Sequence, residues 1–291
     1  MNTYLQHLAT LTLAMLISTT AFAQTTATDA PQPSAAEVAA SQAKAETILQ
    51  AAIKAMGGAA YTNVRSIIGR GRFTPYEGGI SGAPFRFEDY VLYPDKNRTE
   101  FYGRGNRIIQ TNSAQQGWLF DAAARKIDDA KPDQLADYNF SLRVSIDGLL
   151  RGAWRTSGQN QAALSYIGRR EASLGQRNET VRLTYADGFT VDFEFGARDR
   201  LPAKVVYKRV RKVENKEGIE EPGEVVEEDR FAQFIETSGV RLPFVVDHYR
   251  GGIQTSRVNY EAVSFNESLG EDFFQRPANI KSIKERKKKG S

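Results

Sequence analysis

The sequence predicts an α+β protein, mainly antiparallel β, on three observations. Short runs of alternating apolar and polar residues recur along most of the chain, broken by Gly, Pro, Asn and Asp. Asp187-Gly188 sits between two such runs as a two-residue hairpin signal. Two segments alone replace period two with the 3- and 4-residue steps of an amphipathic helix.

Residues 1–23 read as a secretory signal, with an apolar stretch from Leu8 to Ile17 and small residues ending Ala21-Phe22-Ala23 at the cleavage pattern. About ten apolar residues are too few to span a bilayer of about 30 Å as an anchor. Residues 24–34, rich in Thr, Ala and Pro, read as a flexible leader. The first helix is expected over 34–56, where Ala45, Ile48, Leu49, Ala52, Ile53 and Met56 form one stripe. Ser34 and Glu37 fit a capping box, and Gly57-Gly58 a stop.

Strands follow over 67–73, 85–93, 98–102, 107–112 and 117–121, joined by short connections as in a meander. Leu135, Leu142, Ile146, Leu149 and Leu150 then place a second helix over 132–151. A second set of strands is expected over 165–174, 180–185, 189–195, 203–213, 225–236, 242–249 and 255–263. Its clearest member points Phe189, Val191, Phe193 and Phe195 to one face, and Thr190, Asp192 and Glu194 to the other. The acidic stretch 214–229, with Pro222 and Gly223, reads as a long solvated hairpin loop and not as a metal site. No composition break divides residues 35–280, so a single domain is expected there, followed by a basic disordered tail at 281–291.

The composition removes several chemistries. The 291 residues contain no Cys, which excludes thiolate nucleophiles, disulfides, iron–sulfur clusters and an N-terminal lipid-modified cysteine. Beyond the signal the sole histidine is His248, which is too few for a His-rich metal site; a Ser-His-Asp triad would need it, but no Gly-x-Ser-x-Gly elbow is present, and it reads as a strand-end histidine. The net charge of +4 is concentrated in the last eleven residues, where Lys281, Lys284, Arg286, Lys287, Lys288 and Lys289 face only Glu285. The rest of the chain is close to neutral, which gives no folded face that would track nucleic acid. Gly69-Arg70-Gly71 and Gly103-Arg104-Gly105 lack the third glycine of a dinucleotide loop and read as bends or bulges. No cofactor and no metal are expected.

What remains is aromatic abundance, with 16 Phe, 12 Tyr and 2 Trp, many on strands. Two helices are few to cover a sheet of about a dozen strands, so part of its apolar face is expected to line a cavity. Phe85, Phe87, Trp118 and Phe120 are the expected lining.

The order of segments adds a resemblance. A signal is followed by a helix ending Ile53-Lys54-Ala55-Met56-Gly57-Gly58, a strand opening Val64-Arg65-Ser66-Ile67, and Gly117-Trp118-Leu119-Phe120-Asp121. Near the end come Ser238-Gly239-Val240-Arg241-Leu242-Pro243-Phe244, Asn259-Tyr260-Glu261-Ala262-Val263-Ser264-Phe265-Asn266 and Leu269-Gly270-Glu271-Asp272-Phe273-Phe274-Gln275-Arg276-Pro277. Over about 45–277 the chain resembles the periplasmic outer-membrane lipoprotein-sorting proteins of the LolA/LolB-like superfamily. That resemblance implies a strongly curved sheet, an incomplete barrel, with helices on its concave side. It implies a monomeric, non-enzymatic carrier of lipid or lipoprotein acyl chains, with inner- or outer-membrane transport components as partners. No position can be matched to the family's helix-latching arginine.

Two other functions stand beside this one. One is an envelope interaction protein with a dry core, acting through the acidic hairpin or the basic tail. The other is a carboxylate-dependent hydrolase using Asp192 and Glu194, since glycoside hydrolysis needs only two suitably spaced carboxyl groups.

Overall fold

A computed structural model describes residues 33–103, 106–156, 158, 161–173, 175–214 and 220–284. The proposed signal at 1–23, nearly all of the leader, Arg104-Gly105, and residues 285–291 of the basic tail lie outside the described residues. The unit from Ala35 onward is built on one fourteen-stranded antiparallel sheet.

Its helices and strands follow in chain order as α1 (Ala35–Ala55), α2 (Ala59–Thr62), β1 (Ser66–Glu77), β2 (Ile80–Ser81), β3 (Phe85–Leu92), β4 (Lys96–Tyr102), β5 (Arg107–Asn112), β6 (Gly117–Asp121) and β7 (Lys126–Asp129). Helices α3 (Pro132–Arg143) and α4 (Ile146–Leu150) come next. The second meander is β8 (Ala162–Ser173), β9 (Gln176–Tyr185), β10 (Thr190–Gly196), β11 (Pro202–Glu214), β12 (Glu220–Thr237), β13 (Val240–Arg250) and β14 (Ile253–Phe265).

The two meanders are welded where β14 returns to pair with β1, which pairs with β3 on its other side. The sheet does not close, and its edges are β7 and β8. Those edge strands are consecutive in sequence, so the segment joining them, with α3 and α4, has to cross the open side of the curved sheet. This is the incomplete barrel the resemblance implied.

The expected second helix is divided at Val144-Ser145, where the Ser145 hydroxyl accepts from the Gly148 backbone N–H at 3.2 Å and caps α4. The acidic stretch is not the expected loop. Residues 220–229 continue β12, paired with β11 as far as Glu214–Glu220, because Lys208–Glu224 (2.8 Å) and Arg211–Glu227 (2.8 Å) neutralise the charges across the strands. The hairpin tip, 215–219, lies outside the described residues.

Glycine has a distinct purpose at position 71. The β1–β14 register slips between Arg70 and Gly71, and a Cβ on Gly71 would lie 1.9 Å from the Asn259 carbonyl oxygen.

Packing differs on the two faces. On the concave face Ala45, Ile48, Leu49 and Ala52 of α1 share one core with Leu183, Val191, Phe193 and Val205 of the second meander. On the outer face of the first meander, the chain after β14 runs back across the strands. Phe273 and Phe274 pack on Ile68 and Tyr90, and Ile283 packs on the Ile109, Trp118 and Phe120 cluster. Arg98, 0% exposed, secures this strap: its guanidinium donates to the carbonyls of Phe273 and Lys284 at 3.0 Å each, and is paired with Glu100 at 2.6 Å.

Candidate functional site

A cavity of about 1320 Å³ lies between the concave face of the sheet and the helical crossing. Its sheet wall draws on both meanders, with Ile67 of β1, Val91 of β3, Leu183 of β9, Phe231 of β12, Leu242 and Val246 of β13, and Val263 of β14. Met56, at the end of α1, and residues of α3 and α4 supply the opposite wall.

Strand pairing explains why these residues meet. Directly opposed residues of neighbouring strands share a face, and the pairs Val91–Ile67 and Ile67–Phe265 carry one row across β3, β1 and β14. The pairs Val258–Val246 and Val246–Phe231 extend the same face into β13 and β12.

Helix α3 has no buried residue and is held at both ends of its crossing by polar contacts. On the first-meander side, the Tyr138 hydroxyl donates to the Asp95 carbonyl at 2.8 Å and the Asn139 amide to the Ala114 carbonyl at 3.1 Å. On the second-meander side, Arg209 pairs with Asp137 and its guanidinium lies 4.2 Å from the Phe140 ring, while Arg143 pairs with Asp187 at 2.9 Å. Phe140 is the helix's one aromatic anchor, packed at 5.1 Å from Phe189 and 5.5 Å from Tyr207 at the margin of the core; the rest of the attachment is by surface polar contacts, which open at low local cost.

Helix α4 is fastened more firmly. Arg151, just after it, donates to the carbonyls of Tyr61 (3.0 Å), Thr62 (3.2 Å) and Val64 (3.0 Å), and lies 3.9 Å from the Tyr93 ring. Asp147 accepts from the Tyr61 hydroxyl at 2.5 Å. Burial, reinforced by the Asp147 charge, pushes both the Tyr61 and Tyr93 hydroxyls far up, so both stay neutral donors.

The four aromatic residues expected to line the cavity are placed elsewhere, on two different faces. Phe85 and Phe87 share the concave face with Asp89 and Val91 but stop short of the cavity; Phe87 meets Tyr260 edge to face at 5.4 Å, and Phe85 lies against Phe73. Trp118 and Phe120 are on the outer face. Trp118 pairs with Thr111, which pairs with Arg98, which pairs with Tyr90, and this row lies under the C-terminal strap. The Trp118 indole N–H donates to the Phe274 carbonyl at 2.9 Å. A sheet with one bare face would have put these rings in the cavity; the returning strap gives it a second apolar layer.

The remaining candidates of the sequence are accounted for by pairing. Asp192 is held by Arg182 and Arg170 at 2.6 Å each, and Glu194 by Asn178 at 2.9 Å with Arg170 and Lys204 beyond, in an ion-pair ladder outside the cavity lining. His248 Nδ1 lies 2.5 Å from Asp229 Oδ1, and no hydroxyl bonds to the ring among the described residues. Burial opposes the imidazolium charge, but the Asp229 hydrogen bond and the Asp229, Asp247 and Glu227 carboxylates hold His248 above its ordinary value. Among the described residues no cluster of His, Asp or Glu is arranged to hold a metal ion.

No protein-family model matches the chain, and no curated protein matches it in sequence. Solved structures do match. A LolA superfamily protein from Nitrosomonas europaea is 13% identical, with 80% of this chain and 97% of that one covered and a TM-score of 0.49. A domain from Vibrio parahaemolyticus named for outer membrane lipoprotein sorting is 11% identical, with 79% and 97% covered and a TM-score of 0.47. A DUF1329 family protein from Desulfovibrio piger is 9% identical, with 79% and 97% covered, and superposes with a TM-score of 0.53. The chain shares the fold of the Desulfovibrio protein, and its open antiparallel sheet with helices across the concave side is the architecture that the likeness to the LolA/LolB-like superfamily implied.

Proposed function

We propose that this protein is a non-enzymatic periplasmic carrier that holds the acyl chains of a lipid or lipoprotein in its cavity for transfer towards the outer membrane. The cavity carries this reading: its volume exceeds the roughly 300–1,000 Å³ of ordinary small-molecule pockets, and its sheet wall is mainly aliphatic and aromatic, with Asp89, Lys96 and Asn97 as polar exceptions. Each methylene moved there from water contributes about 0.8 kcal/mol, so a sixteen-carbon chain gains roughly 12 kcal/mol before the costs of ordering it. Such a gain supports shielding an acyl chain in aqueous transit without a covalent step.

The structure favours this reading over the dry-core alternative at one point, the unfilled space between Val91, Leu242 and α3. Acyl chains would lie along Ile67, Val91, Leu183, Leu242 and Val263, with α3 moving aside to admit them; Phe87 would bound the site beyond Tyr260. The signal-like residues 1–23 support export.

Filling the cavity tests the reading. Val91→Trp should abolish the fluorescence gain of the apolar dye N-phenyl-1-naphthylamine while leaving the circular dichroism and the melting temperature within a few degrees of the parent. Undiminished dye binding in a folded variant would contradict the assigned site.

A further inference from the structure

Two strongly exposed large apolar side chains, Ile80 at 77% and Ile253 at 52%, stand side by side at one end of the sheet. Each follows a two-residue turn of the same composition. Gly78-Gly79 joins Glu77 to Ile80, and Gly251-Gly252 joins Arg250 to Ile253, with all four glycines at the positive φ that such hairpin loops require. The turns adjoin: Ile253 Cγ2 lies 3.6 Å from where a Cβ on Gly79 would stand. The turn geometry itself does not ask for isoleucine at either place.

The concave face connects this end to the cavity. Phe73 is paired with Val258 on β14 and with Phe85 on β3, and Phe101 on β4 packs edge to face against it at 5.6 Å. These four residues are half-buried and outside the cavity lining. They form an apolar tract between the Phe87–Tyr260 contact and the two turns. The nearby charges are largely closed in pairs, Arg72 with Glu261 at 3.2 Å, Arg250 with Glu227 at 3.3 Å and Arg257 with Asp247 at 2.6 Å, while Glu77 is an exposed acid on its turn. Tyr76 and Tyr249, both half-buried, lie just behind the turns on β1 and β13.

We propose that this pair of turns is a lipid-bilayer contact. Ile80 and Ile253 enter the acyl boundary, Tyr76 and Tyr249 lie at head-group depth, and the tract of Phe73, Phe85, Phe101 and Val258 is the apolar path from bilayer to cavity. The proposal rests on the carrier reading and adds the surface at which cargo is exchanged. Because the charges here nearly cancel, the contact is driven by apolar burial and is insensitive to salt, unlike one made by a basic segment.

The competing view is that two exposed isoleucines are ordinary surface residues. The test floats protein from the periplasmic fraction with neutral phosphatidylcholine vesicles in 0.5 M NaCl, which screens the basic C-terminal residues. The parent should float with the vesicles, and the Ile80→Asp/Ile253→Asp double variant should partition at least about tenfold less. Melting temperature and N-phenyl-1-naphthylamine binding should be unchanged in that variant, since both side chains are exposed and outside the cavity. Ile80→Leu/Ile253→Leu should float like the parent, and the emission of an Ile80→Trp variant should be quenched by brominated phosphatidylcholine. Dye binding without flotation of the parent would overturn the proposal and leave the carrier reading standing. So would equal flotation of the double Asp variant, or binding only to phosphatidylglycerol vesicles that salt abolishes. Failure of the parent to bind the dye would overturn both.

Discussion

Arg98 ties the outer face of the first meander together, and replacing it with Met tests whether that face is structural and independent of the cavity. The side chain is fully buried, paired with Glu100 at 2.6 Å, and stacked 4.1 Å from the Phe273 ring. Breaking a buried pair from one side costs about 3–5 kcal/mol, because the abandoned charge stays buried. Glu100 would keep Arg107 at 2.5 Å and the Tyr102 hydroxyl at 2.8 Å, which pulls the expected cost to the lower end, about 3 kcal/mol. At about 2–4 °C per kcal/mol for a domain of this size, the melting temperature should fall by roughly 6–12 °C. Loss of the bonds to the Phe273 and Lys284 carbonyls should also speed amide hydrogen exchange around 271–284 while exchange in α1 is unchanged. Urea unfolding and exchange mass spectrometry read both effects, and dye binding in the cavity should be unaltered. A stability loss below about 1 kcal/mol, or a collapse of dye binding in the folded variant, would refute the reasoning.

Trp118→Ala should destabilise by about 3–5 kcal/mol through the void it leaves under the strap, and leave dye affinity unchanged because the indole faces away from the cavity. Gly71→Ala should cost at least about 2 kcal/mol in urea unfolding, since the backbone of β14 stands where the new methyl would go; a neutral effect would contradict the bulge geometry. His248 should titrate by NMR above its ordinary value of about 6.5. Its folded-state value is raised, so the stability it adds is fully present below the unfolded value and disappears as pH rises through the folded one. Asp229→Asn should remove that pH dependence and lower the midpoint, and a midpoint at or below the ordinary value in the parent protein would contradict the pairing.

The strands of the second meander were legible because Val191, Phe193 and Phe195 alternate with polar residues, and all three are completely buried. The same pattern implied that Asp192 and Glu194 face water. They are buried instead, because long Arg and Lys side chains from β8, β9 and β11 fold over them, and period two reports a face's polarity without reporting what covers it. The break between α3 and α4 was present in the sequence as Ser145, a capping residue inside a helical stripe. The extended β11–β12 hairpin was present as basic residues at 208 and 211 that reach diagonally across the strands to acids at 224 and 227.

The site was less legible for a topological reason. Alternation shows that Trp118 and Phe120 share a face, but which face is inside depends on the pairing of β14 with β1, nearly two hundred residues apart in sequence, and on where the chain goes afterwards. The actual lining is dispersed as one or a few apolar residues from each of β1, β3, β9, β12, β13 and β14, with helical residues opposite, and no local motif. Asp89 carried a signal of its own, an acid on the apolar face of a strand between Phe87 and Val91.

The central claim is that this cavity holds lipid. It is tested most directly by expressing the full chain, isolating it from the periplasmic fraction without detergent and analysing its organic extract by mass spectrometry beside an unrelated periplasmic protein. The account predicts an acyl-bearing molecule at close to one per protein, absent from the control and from the Val91→Trp variant. An extract indistinguishable from the control, before and after incubation with phospholipid vesicles, would contradict it.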